Sequence, residues 1–189
     1  MSEVVNEKNR RKYYIILSEA EKKLLSFFVK EKDSTVQFIK LRRYCIIDLD
    51  MDTAEFYEAY TSLLKKEILV DISANKEHTI IISRLVDIPT VVKYYLNLKY
   101  YDSAVILAAL FKLFFYPISK GIECEFTLWD ILHSKKLYKI RQKYEDNNAI
   151  FRQFIHELIE KNYLKFINNK RYILNYKAVP NEVVPFLLL

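Results

Sequence analysis

The amino-acid sequence predicts a mainly α-helical chain with short β-hairpins, an α+β protein made of two similar modules in tandem. Three observations point there. The 189 residues are 51% hydrophobic and 29% charged, enough apolar surface for packed cores and too much for a disordered chain. Two segments repeat without a gap. Within each copy, apolar residues recur first at helical spacing and then in short β-rich runs, a change of period that marks a change of element.

The repeat aligns AEFYEAYTSLLKKEILVDI, starting at Ala54, with AIFRQFIHELIEKNYLKFI, starting at Ala149, an offset of 95 residues. Phe56 meets Phe151, Leu63 meets Leu158, Lys66 meets Lys161, Leu69 meets Leu164 and Ile72 meets Ile167. Upstream of the first copy, Ser18 and Glu21 form a capping box before Leu24, Leu25, Phe28 and Val29, opening a first helix. A second helix is expected from Ser34 or Thr35, carrying Val36, Ile39 and Arg43. Asp52 and Glu55 cap the third. Strands at about 68–72 and 79–83 then enclose a polar tip at 73–78.

Pro89 suits the first turn of a helix, so a linker helix is expected over about 90–101. Asp102 or Ser103 is the expected cap of the apolar helix 104–116, which Pro117 and Gly121 end. Residues 123–126 alternate as a strand, and Thr127 with Asp130 caps a helix holding Leu128, Ile131 and Leu132. The third helix of this module turns Ile150, Phe151, Phe154, Ile155, Leu158 and Ile159 inward. Strands at 163–167 and 171–176 follow, joined by a turn at 168–170. The expected boundaries are a basic arm at 1–13, a first domain at 14–88, a second at 89–178 and an apolar tail at 179–189. That tail, ending in PFLLL, is expected to dock on its own domain or on a protein partner.

The order of helix, strand, helix, helix and hairpin resembles the winged-helix branch of the helix-turn-helix superfamily, in tandem, over roughly residues 14–177. LLKKEILVDI and LIEKNYLKFI are similar to the passage from the third helix into the wing. Neither turn between helices two and three contains Gly, and the second is long (138–148). The resemblance implies double-stranded DNA binding, with the third helix in the major groove and the wing near phosphates. It also admits protein-protein adaptors, because tandem winged helices serve in multi-subunit assemblies.

Charge favours the first of these. Residues 1–88 hold 15 Lys or Arg and 15 Asp or Glu, whereas 89–189 hold 15 and 9, so the whole +6 belongs to the second module. Lys135, Lys136, Lys139, Arg141 and Lys143 crowd its second helix and following turn, and Lys165, Lys170 and Arg171 its wing, places where phosphates lie. With the apolar face inward, its third helix presents Arg152, Gln153 and His156, of which Arg and Gln pair bidentately with guanine and adenine edges. The first module presents Tyr57, Glu58 and Thr61 instead, behind Asp48, Asp50, Asp52 and Glu55, a face that repels a duplex. It is expected to be an interaction or dimerisation unit, with Lys8, Arg10, Arg11 and Lys12 ahead of it as a basic arm. The expected function is a non-enzymatic DNA-binding homodimer, acting as a transcription regulator or a replication or segregation factor. The alternatives are an adaptor binding protein through the first domain or the tail, and a binder of structured RNA.

Other chemistry does not assemble. The single Gly cannot build phosphate-cradling loops or nucleophile elbows. Asp48, Asp50 and Asp52 begin a calcium-loop pattern, but Thr53 stands where Gly is required and Ala59 where the bidentate Glu belongs. His78, His133 and His156 are scattered, and Cys45 and Cys124 read as buried, inert thiols. No catalytic residue, metal or cofactor is expected. Two cysteines suit a reduced, intracellular setting, cytoplasmic or nucleoid-associated. The run 104–116 falls short of the ~20 residues of a bilayer span, so no membrane partner is expected.

Overall fold

The computed structural model describes residues 16–73, 80–133, 142 and 148–189. They form a mixed α+β chain, predominantly helical with small antiparallel sheets. It divides into two compact units at Asp87 and Ile88.

In the first unit α1 (Glu19–Glu31) opens on the predicted capping box. The Ser18 hydroxyl accepts from the Glu21 amide at 3.1 Å, and the Glu21 carboxylate accepts from the Ser18 amide at 2.7 Å. Glu21 is buried, and Lys66 compensates its charge with Nζ 2.7 Å from both carboxylate oxygens. A charge buried this deeply persists only when paired and hydrogen-bonded. β1 (Thr35–Gln37) leads into α2 (Phe38–Arg43), which continues as a π-helical turn, Tyr44–Asp48. Asp52 caps α3 (Thr53–Lys65), accepting from the amides of Ala54 at 2.7 Å and Glu55 at 3.4 Å. The unit ends in β2 (Leu69–Ser73) and β3 (Ile81–Leu85). The sheet runs β1-β3-β2, with Val36 and Asp71 both opposite Ser83. Leu24, Leu25, Phe28, Leu41, Phe56 and Leu63 fill the core beneath it.

One expectation fails here. The second helix starts at Phe38, and Thr35, proposed as its beginning, opens β1. Three residues are too few to display alternation, and only pairing with β3 makes them a strand.

The second unit repeats the order after α4 (Ile88–Tyr95). α5 (Tyr101–Ser119), β4 (Glu125–Thr127), α6 (Leu128–His133), α7 (Asn148–Glu160), β5 (Leu164–Ile167) and β6 (Arg171–Leu174) follow, and the sheet again runs first, last, middle, β4-β6-β5. α7 lies at the repeat offset from α3 at both of its ends. Thr127 and Asp130 cap α6 as predicted, with the Thr127 amide donating to Asp130 at 2.7 Å and the Asp130 amide to Thr127 at 3.2 Å.

α5 departs from expectation at both ends. It begins two to three residues early, so Asp102 and Ser103 lie within its first turn, and Tyr100 at the N-cap makes no side-chain cap. It also passes through Pro117 to Ser119, because the bonds that close its end use the Pro117 carbonyl, which proline retains. The Gly121 amide donates to Ile118 at 2.9 Å and the Ile122 amide to Pro117 at 3.0 Å, with Gly121 at φ 78. The linker helix is shorter than expected, ending at Tyr95. The apolar tail is part of this unit: α8 (Val184–Leu188) packs on α4 and α5, burying Phe186 and Leu187, with the Phe186 ring 5.4 Å from that of Tyr95. Among the described residues no helix is long and apolar enough to cross a membrane.

Candidate nucleic-acid interface

α7 turns Phe151, Phe154, Ile155 and Leu158 into the core, and the 3.6-residue period leaves Arg152, Gln153 and His156 on its exposed face. All three line one open groove of about 410 Å³. Lys99 and Tyr100, which precede α5, line it too; sequence reasoning missed both, since nothing in the local pattern brings them beside α7. Tyr100 is seated by an edge-on contact to Phe154, centroids 5.3 Å apart. The Lys99 ammonium lies 4.9 Å from the Tyr100 ring centre, and a hydrogen bond to Tyr100 holds its pKa above the ordinary lysine range.

Glu157, next on α7, fixes this arrangement from beneath. Although buried, its carboxylate accepts from the Lys99 amide, from the Tyr100 amide at 3.3 Å and from the Ser103 hydroxyl at 2.6 Å. These are donors at the start of α5 that no local cap serves. A carboxylate at a helix N-terminus is also favoured by the helix dipole. His156 Nδ1 lies 3.3 Å from Glu160 Oε1 one turn on, so this imidazole has an acidic neighbour on the same face.

The predicted wing residues are all exposed. Lys165 lies on β5 and Lys170 at the turn, while Arg171 on β6 is engaged by Glu125 of β4, Nη1 to Oε2 at 2.8 Å. Lys135, Lys136, Lys139, Arg141 and Lys143 lie outside the described residues, as do the basic arm with Lys8, Arg10, Arg11 and Lys12, and His78.

The matching face of α3 exposes Tyr57, Glu58 and Thr61. Tyr57 packs against Phe38 and Phe56 and meets the Arg42 guanidinium 5.9 Å from its ring centre. The acidic run that began a calcium-loop pattern is otherwise occupied, since Asp48 pairs with Lys30 at 3.4 Å and Asp52 caps α3. Cys45 is fully buried, as expected. Cys124 is only partly so, because it precedes β4 at the rim of a second cavity, about 230 Å³, together with Ile118, Lys165 and Tyr176.

No family model matches the sequence, and no curated protein or solved structure matches it.

Proposed function

We propose that the chain is a tandem winged-helix protein whose second unit binds double-stranded DNA, without enzymatic activity, as a transcription regulator or a replication or segregation factor. The observation that carries the reading is the α7 groove. It gathers a guanidinium, a carboxamide, an imidazole and the Lys99 ammonium together with the Glu160 carboxylate, in the unit that holds all the excess positive charge. Arg152 and Gln153 supply the bidentate donors that read guanine and adenine edges, and Lys99 joins Lys165 and Lys170 as a phosphate contact. The sheet order and element sequence of both units support the winged-helix assignment.

A second reading has its own observation. On the first unit Ile39 is 62% exposed and Tyr57 45%, apolar surface suited to a protein partner.

A gel-shift titration with random duplex at two salt concentrations decides between them. The DNA reading requires binding at ~50 mM salt that weakens steeply as salt rises, whereas no binding at the lower salt favours the adaptor. Arg152→Ala is expected to cost about 1–3 kcal/mol on a preferred sequence and little on others; equal losses on all sequences would contradict base reading.

A further inference from the structure

One face of the second unit's sheet borders the cavity of about 230 Å³ that Cys124 rims. Register sets Lys165 of β5, Ile173 of β6 and Glu125 of β4 side by side, and residues paired across antiparallel strands share a face. Leu164 and Leu174 alternate with them, and their burial fixes Lys165 and Ile173 on the side away from the core. Arg171 engages Glu125 at 2.8 Å, so that carboxylate does not neutralise Lys165. Ile173 and the buried Ile118, from the end of α5, give the cavity an apolar floor. The three matching register positions in the first unit hold Val70, Arg84 and Thr35. An exposed arginine thus stands there where the second unit sets an isoleucine.

The rim carries both kinds of surface that a ligand covers. Ile122 is 57% exposed and Tyr176 38%, and Lys165, Lys177 and Glu123 line the cavity with them, all three exposed. Among the described residues none of these three charges makes an ion pair. Two ammonium groups and one carboxylate around an apolar floor complement a molecule with one carboxylate, one ammonium and an apolar side chain. A phosphate group would leave Glu123 facing a like charge and the apolar surface uncovered. The volume lies below the roughly 300 Å³ at which pockets for drug-sized ligands begin, so the occupant is small.

We propose that this cavity binds a free α-amino acid with an apolar side chain, its carboxylate on Lys165 and Lys177, its ammonium on Glu123 and its side chain over Ile118 and Ile173. The site lies outside the α7 groove and its test contains no DNA, so it stands or falls apart from the duplex reading. The full chain is titrated calorimetrically with L-phenylalanine, and alkylation of Cys124 by iodoacetamide is followed in parallel, Cys45 being fully buried. L-Phenylalanine is expected to bind with a Kd of about 0.1–1 mM, a strength open to a ligand of its size, and to slow the alkylation. L-Alanine, 3-phenylpropanoate and 2-phenylethylamine lack in turn the ring, the ammonium and the carboxylate. Each should bind at least about tenfold more weakly, the cost of one lost apolar or charged contact. Glu123→Gln should weaken L-phenylalanine about tenfold and leave 3-phenylpropanoate no weaker, whereas Lys165→Ala with Lys177→Ala should weaken both. Ile173→Arg, which installs the first unit's residue, should abolish binding. Neither heat nor protection with L-phenylalanine, 3-phenylpropanoate binding as tightly as L-phenylalanine, or Glu123→Gln equal to wild type would each overturn the proposal. Because Glu123, Lys165 and Lys177 are exposed, matching circular-dichroism melting curves for their variants tie any change in affinity to the ligand contacts.

Discussion

Glu67 sits at φ 55 just past the end of α3, its amide donating to Leu64 at 3.0 Å while the Ile68 amide donates to Leu63 at 3.0 Å. Lys32, Asn97 and Asn162 close α1, α4 and α7 by the same paired bonds, and Gly121 closes α5. Four of these five left-handed positions thus hold residues with a Cβ, at about 1–2 kcal/mol for a residue such as Glu or Lys and less for Asn. Glu67→Gly should therefore stabilise the first unit by about 0.5–1 kcal/mol, the relief of strain exceeding the entropy glycine adds to the unfolded chain. A Cβ on Gly121 would meet nothing within 4 Å, so Gly121→Ala should cost about 1 kcal/mol through its backbone alone. Urea titrations with unchanged slope check both. A second residue-scale effect comes from Cys45, whose pKa burial raises from 9.0 to about 12. The unfolded thiol ionises first, so this contribution to stability is complete below pH 9 and is lost as pH climbs toward 12. Cys45→Ala should flatten the alkaline limb of the stability profile. The burial of Cys45 was legible in the sequence; the left-handed positions were not, because a left-handed Lys or Glu carries no compositional mark and glycine, the usual signal, is nearly absent.

At the scale of elements, local grammar served where a helix carries its own start. The boxes at Ser18 and Thr127 and the cap at Asp52 were readable because donor and acceptor lie within three residues. α5 was misplaced because its cap is Glu157, 54 residues from Ser103, and no local pattern encodes that. β1 was missed for the same reason, its partner β3 being distant in sequence. Glu157→Ala should cost about 2–3 kcal/mol, the range for hydrogen bonds to a charged group, measured by thermal or urea unfolding. Glu157→Gln, which keeps one acceptor oxygen, should lose less. In the proposed function the alanine variant should also weaken duplex binding, since Lys99 and Tyr100 are held beside Arg152 through this carboxylate; unaltered binding would show that the groove tolerates their displacement.

For the whole molecule, the 95-residue repeat was the most informative sequence feature, since it set the number of units, their common order and the residues to compare. It could not show which strand residues stand exposed, because exposure of a strand residue depends on what lies above the sheet. Each unit has its own core and its own three-stranded sheet, so a chain cut between Asp87 and Ile88 should yield two fragments that fold separately. The fragment 88–189 should carry all the duplex affinity and the charge-neutral fragment 1–87 none, as circular-dichroism melting and gel shifts of each will show. Binding by the neutral fragment would sever the link between charge and function.

The packing of α8 also bears on how the cell handles defective copies. A chain terminated ahead of Val184 lacks Phe186 and Leu187, so the apolar sides of α4 and α5 that they cover lie open. Such a product retains a sound first unit while its second is loosened, and exposed apolar surface of that kind invites chaperone capture and proteolysis. Termination ahead of Val184 would therefore be felt as reduced abundance and not as a shortened but working protein.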